Sequence, residues 1–217
     1  EEGTDPEKIR GLMSCGIGAV STLELRRMKT LEEAADWQIR VQRAAMDSSP
    51  HRIPAMFHME GLCGAFLQDA TSFPAGIGRG ASWDPGLEEE IGRVVSRQEK
   101  ACGITHIFAP VLDISRDSRM GRQGETYGED PTLAAALGVA YTKGIQTEEM
   151  GFEGLCVSDY GAIGNAFSYQ HVGERPEETG WMALSAGMDM ELPNPAGFGE
   201  AFAEMFRHGE ADEAALD

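Results

Sequence analysis

The sequence predicts an α/β fold in which parallel strands are joined by crossover helices, and three observations point there. Short apolar runs rich in β-formers alternate with longer stretches of helical spacing. Asp-Pro pairs open helical stretches, because Asp can cap free amides and Pro at the first helical position has no amide hydrogen to lose. Carboxylates recur where apolar runs stop, the place beyond the carboxyl ends of parallel strands where substrates bind in such folds.

Taken in order, residues 16–21 form the first strand-like run, 53–59 the second, 105–112 the third and 154–157 a later one, with 187–193 as a last strand. The pairs Asp5-Pro6, Asp84-Pro85 and Asp130-Pro131 mark three helix starts. After Pro85 the spacing puts Leu87, Ile91, Val94 and Val95 on one face; after Pro131 it does the same for Leu133, Leu137 and Tyr141. No internal repeat or low-complexity linker interrupts the alternation.

Composition narrows the partners. With 217 residues and 41% hydrophobic content, the chain can bury a sizeable core. The formal net charge of -18 argues against nucleic acid or an anionic membrane and suits a neutral or cationic small substrate. Cys15, Cys63, Cys102 and Cys156 are widely spaced, which predicts reduced, buried thiols rather than disulfides or a zinc site. No apolar run is long enough to span a bilayer. The chain begins at Glu1 rather than Met, so upstream sequence and the compartment stay open, with the cytoplasm slightly favoured.

The chemistry-bearing residues gather at strand ends. The second run closes on Glu60, the third on Asp113 and Asp117, the later one on Ser158-Asp159-Tyr160, and the last carries Glu191. A strand that stops on Asp159 admits two readings: a nucleophile or ligand facing substrate, or a cap on the following helix. The loop 118–130 combines two arginines, glycines and acids. Such a set can hold a hydroxyl-rich substrate through charge-assisted hydrogen bonds, or can be a surface loop cross-tied by Arg-Glu pairs.

Residues 70–74 (ATSFP), 81–85 (ASWDP), 108–114 (FAPVLDI), 121–131 (GRQGETYGEDP), 151–160 (GFEGLCVSDY) and 186–193 (AGMDMELP) together, in this order, resemble the N-terminal domain of glycoside hydrolase family three. The resemblance covers most of the chain. It implies a (β/α)8 TIM-barrel-like domain, incomplete in this chain, of a retaining exo-acting β-glycosidase of β-glucosidase or β-xylosidase type, working without a cofactor or metal. By motif match Asp159 takes the nucleophile position, and Tyr160 stands where the family often has Trp beside the sugar. Glu60 and Arg122 occupy positions that grip hydroxyls of the terminal sugar. The tetrad 158–161 is similar to the glucosidase branch rather than the N-acetylglucosaminidase branch. Glu191, at the end of its strand, is a further candidate by position alone.

A retaining glycosidase needs a nucleophile and an acid/base group about 5 to 5.5 Å apart. The resemblance places the acid/base glutamate in a downstream domain that the chain does not contain. It also implies a Lys-His pair and a further strand, on the order of 100 residues, between the helix after Pro131 and the strand bearing Asp159. Here residues 144–154 join the two directly. The expectation is thus one barrel-type domain over 1–217 that lacks a segment near 147–150 and the downstream domain: either an open barrel whose exposed edges are a hazard for aggregation or a route to oligomers, or, the favoured reading, pieces of a longer protein joined in one sequence.

Two other functions are compatible with these residues. A domain without the Lys-His segment could bind sugar, or act as a scaffold, without hydrolysis. His58 and Glu60, two apart on one strand, could instead ligate a metal with Asp113 or His106, as in a metal-dependent barrel hydrolase. His106 is expected to be a core or rim histidine, Asp113 and Asp117 to anchor the arginine loop, and Trp83 and Trp181 to pack in the core. The expected partner is a β-linked oligosaccharide or glycoside.

Overall fold

In a computed structural model, residues 11, 15–146 and 154–216 are described here. The chain divides into two units, Glu1–Phe152 and Glu153–Asp217.

The first unit is built on a parallel sheet of three strands in the order β1-β2-β3. They are β1 (Ala19–Ser21), β2 (Met56–Met59) and β3 (His106–Ile107). The register sets His58 beside both Ser21 and His106. Helix α1 (Leu31–Ser48) makes the crossover from β1, and its N-cap Thr30 accepts from the amide of Glu33. Phe57 and Met59 point to one face of β2 and are buried against Trp37, Val41, Ala44 and Ala45 of α1. Met56, His58 and Glu60 therefore belong to the opposite face, on which Met56 is 53% exposed. Just before β2, the Gln42 amide acts like a neighbouring strand: Nε2 donates to the Ala55 carbonyl at 3.0 Å and Oε1 accepts the Ala55 amide at 2.9 Å.

The short helix α2 (Gly76–Gly80) precedes α3 (Pro85–Ala101), which leads into β3, and α4 (Pro131–Ile145) follows. Two of the three Asp-Pro expectations hold in detail. Asp84 accepts from the Leu87 amide, and Asp130 accepts from the amides of Thr132 and Leu133. Asp5-Pro6 lies outside the described residues, as do residues 147–150. Helices α3 and α4 touch through glycine: a methyl group on Gly92 would lie 2.6 Å from the Tyr141 carbonyl oxygen and 3.1 Å from Gly144 Cα. Gly92→Ala is accordingly expected to cost about 1–3 kcal/mol by overpacking backbone against backbone. Urea unfolding should show that loss, and little change for Gly124→Ala, where nothing lies within 4 Å.

Several expectations need correction. The third strand is two residues long rather than eight, since Pro110 cannot donate to a ladder. Leu87 is 50% exposed, because α3 turns Glu88 inward and buries 88, 91, 92, 95, 96 and 99. Trp83 is 68% exposed, held at φ 54° just before the cap of α3.

The second unit pairs two short extended segments through one parallel bridge, Val157 to Met190, in place of the two strands expected at 154–157 and 187–193. It carries α5 (Ala162–Ser168), α6 (Pro176–Ser185) and α7 (Glu200–Arg207). Phe202, Met205 and Ala211 form its core, with Trp181 and Phe206 packed against them. All four cysteines are free thiols, yet Cys15 and Cys156 are exposed rather than buried; a single bridge leaves the flanks of segment 154–157 open.

Candidate active site

In the second unit, Ser158 joins the two extended segments. Its amide donates to the Met190 carbonyl at 2.9 Å, and its Oγ accepts the Leu192 amide at 2.9 Å. Asp159 follows with an exposed side chain whose Oδ1 accepts the adjacent Tyr160 amide at 2.6 Å. The N-cap of α5 is Gly161, at φ 71°, so Asp159 does not cap that helix. Of the two readings of this carboxylate, the capping one is removed by the geometry. Tyr160 beside it is 73% exposed, an amphipathic ring presented to solvent.

Glu191 is committed to the backbone. Its carboxylate accepts the amides of Gly197, at 2.9 Å, and Phe198, at 2.8 Å, and so pins the loop after the last segment. Asp189 likewise accepts the Cys156 amide at 2.6 Å. Burial first, and the Asp189 charge second, push the Cys156 thiol up.

In the first unit, Glu60 follows β2 and is half-buried. His58 and His106 share its face of the sheet; the Phe108 ring lies tilted against His58 and edge-to-face with His106, at centroid distances of 4.5 and 4.9 Å. Burial lowers both imidazoles, and His58 lowers His106 further. His106 is the rim histidine that its position suggested. Among the described residues no group of three or more His, Cys, Asp or Glu is placed to hold a metal ion. In the loop after β3, Arg122 forks onto Glu125 at 2.6 and 3.0 Å, and Arg119 pairs with Asp117. Both pairs are largely exposed and contribute little to stability. Asp117 does anchor its arginine, and that bond holds its carboxyl below the usual range.

Sequence reasoning missed a buried polar cluster directly under the turn that carries Glu60. The Tyr141 hydroxyl donates to the Gly61 carbonyl at 2.6 Å, and Arg79 Nη2 donates to the Leu62 carbonyl at 3.0 Å. Arg79 also pairs with Glu88 at 3.1 Å, both almost fully buried, and the Tyr127 hydroxyl donates to Glu88 at 2.6 Å. The guanidinium lies 5.2 Å from the centroid of the Tyr141 ring and 5.7 Å from that of Tyr127. Burial raises Tyr127, Tyr141 and Glu88, although the Tyr127 hydrogen bond and Arg79 draw Glu88 back down. Glu99 completes the cluster: it is fully buried, and neither carboxylate oxygen has a hydrogen-bond partner among the described residues. The available signal was spacing, since Glu88 and Glu99 lie on the same α3 stripe as Ile91 and Val95.

Comparison with known proteins agrees with this architecture. The model of the glycosyl hydrolase family 3 N terminal domain matches residues 7–150 and 147–217. A beta-xylosidase of Formosa agariphila is 36% identical over 100 residues, 43% of this chain and 14% of that protein. The lysosomal beta glucosidase of Dictyostelium discoideum is 32% identical over 115 residues, 52% of this chain and again 14% of that protein. The chain thus matches about a seventh of the length of these relatives. Among solved structures, a β-glucosidase from Erythrobacter marinus superposes over 97% of this chain and 38% of its own, with a TM-score of 0.59 and 21% identity. The fold is that of an incomplete α/β barrel, and the chain belongs to glycosyl hydrolase family 3 through its N-terminal domain.

Proposed function

We propose that this chain is the nucleophile-bearing part of a retaining, exo-acting β-glycoside hydrolase of β-glucosidase or β-xylosidase type. The observation that carries the reading is Asp159: an exposed carboxylate at the end of an extended segment, not used as a helix cap, inside the family-matched run 151–160. Asp159 attacks the anomeric carbon. Tyr160 flanks the sugar ring, and Glu60 and Arg122 hold hydroxyls of the terminal sugar. Glu191 acts at one remove, shaping the loop at 197–198 that its carboxylate binds. The acid/base group comes from outside these 217 residues. The similarity of the tetrad 158–161 to the glucosidase branch favours glucosides over N-acetylglucosaminides.

The single barrel-type domain is read as lacking a segment near 147–150. What supports this is that the family match runs in two stretches that meet there, at 7–150 and 147–217. Sugar binding without hydrolysis is the competing function, favoured by the same gap.

The deciding experiment is an intact mass of the purified full-length protein, followed by release of aryl alcohol from aryl β-glucoside and β-xyloside. Release by a protein longer than 217 residues supports the reading; binding of sugar with no release supports the competing one. Glu60→Gln is expected to weaken substrate by about 1.5–3 kcal/mol, the value of a hydrogen bond to a charged group. It should appear in KM or kcat/KM, and an unchanged kcat/KM would remove Glu60 from the site.

A further inference from the structure

We infer that Glu99 is a positioning residue for Glu60: a carboxylic acid held neutral beneath the Glu60-Gly61 peptide, leaving Glu60 as the one negative charge at that point. The inference rests on the reading of Glu60 as a sugar-holding group. A methyl group built on Gly61 would lie 3.6 Å from Glu99 Oε1, so the acid sits directly under the turn. Tyr141 and Arg79 hold the carbonyls of Gly61 and Leu62 from the same side.

Charge balance supports the neutral form. The groups facing this pocket are Glu88 and Cys102 from α3 and its C-cap, Arg79 from α2, Tyr141 from α4, Tyr127 from the loop before α4, and Glu60 from the turn itself. They supply one buried cation, Arg79, for two buried carboxyls. Arg79 and the Tyr127 hydroxyl are both engaged with Glu88. Among the described residues nothing donates to Glu99, and an unpaired carboxylate with 0% exposure is too costly to keep.

The consequence is a pH dependence with a defined sign. Burial, reinforced by the Glu60 charge, pushes Glu99 up to about 8. Its proton is bound more tightly in the folded chain than in the unfolded one, where a glutamate titrates at about 4.3. The associated stability is full below that lower value, declines as pH rises and is gone above about 8. Above the same point an ionised Glu99 repels Glu60 and weakens its hold on sugar.

The test is infrared spectroscopy on the full-length protein. A carboxylic-acid carbonyl band should be present at pH 7, disappear near pH 8 and be missing from Glu99→Gln. A wild-type spectrum whose acid bands all vanish near pH 5 overturns the inference, and it needs no variant. Calorimetry with glucose as the probe supplies the functional arm. Wild-type affinity should fall several-fold as pH passes 8, and Glu99→Gln should show no such inflection. The same inflection in Glu99→Gln would overturn the positioning role. If Glu60→Gln binds glucose as tightly as wild type, the Glu60 reading fails, while the infrared band still decides the neutral acid on its own.

Discussion

In the full-length protein, Asp159→Asn should lower kcat for aryl β-glucosides by roughly four orders of magnitude or more, the scale seen when a covalent nucleophile is removed. The amide has nearly the shape of the carboxylate and keeps an oxygen for the Tyr160 amide, which Asp159 accepts at 2.6 Å. The fold around Ser158 is held by backbone and hydroxyl contacts to Met190 and Leu192 that the substitution leaves alone. The loss is therefore chemical rather than structural. A protein that only binds sugar would keep its affinity and have no turnover to lose. Wild-type turnover in Asp159→Asn would move the nucleophile elsewhere.

Arg79→Met should destabilise the first unit by about 3–5 kcal/mol. The side chain is 4% exposed and pairs with Glu88, itself 2% exposed. Removing the cation strands a buried carboxyl with only the Tyr127 hydroxyl, and it also frees the Leu62 carbonyl. Methionine fills much of the same volume, so packing loss is a minor part. Urea unfolding should show the double variant Arg79→Met/Glu88→Gln recovering a substantial share, because the unpaired charge is then gone. The single variant should lose less at low pH, where Glu88 takes up a proton.

Much of the first unit could be read from sequence because it obeys local rules. The Asp-Pro caps of α3 and α4 and the apolar runs leading to β1 and β2 lie where spacing put them. Tertiary context governed the remainder. Glu88 and Glu99 look like solvated helix charges until Arg79 and the turn after β2 are packed over them. Asp159 was legible as a strand-end carboxylate, but its freedom from capping depended on Gly161 taking that position at positive φ. The commitment of Glu191 to two amides of a later loop has no signature in a single sequence.

The β1-β2-β3 order has a consequence for how the protein is made. Within this sheet β2 pairs with β1 and β3 with β2, so among these three no strand has to be inserted between two already formed. Synthesis at about 5–20 residues per second gives each crossover ample time to form before the next strand emerges. The sheet can thus assemble on the ribosome in the order of translation, and a polysome carrying residues 15–146 already holds every hydrogen-bonded pair that β1, β2 and β3 make with one another.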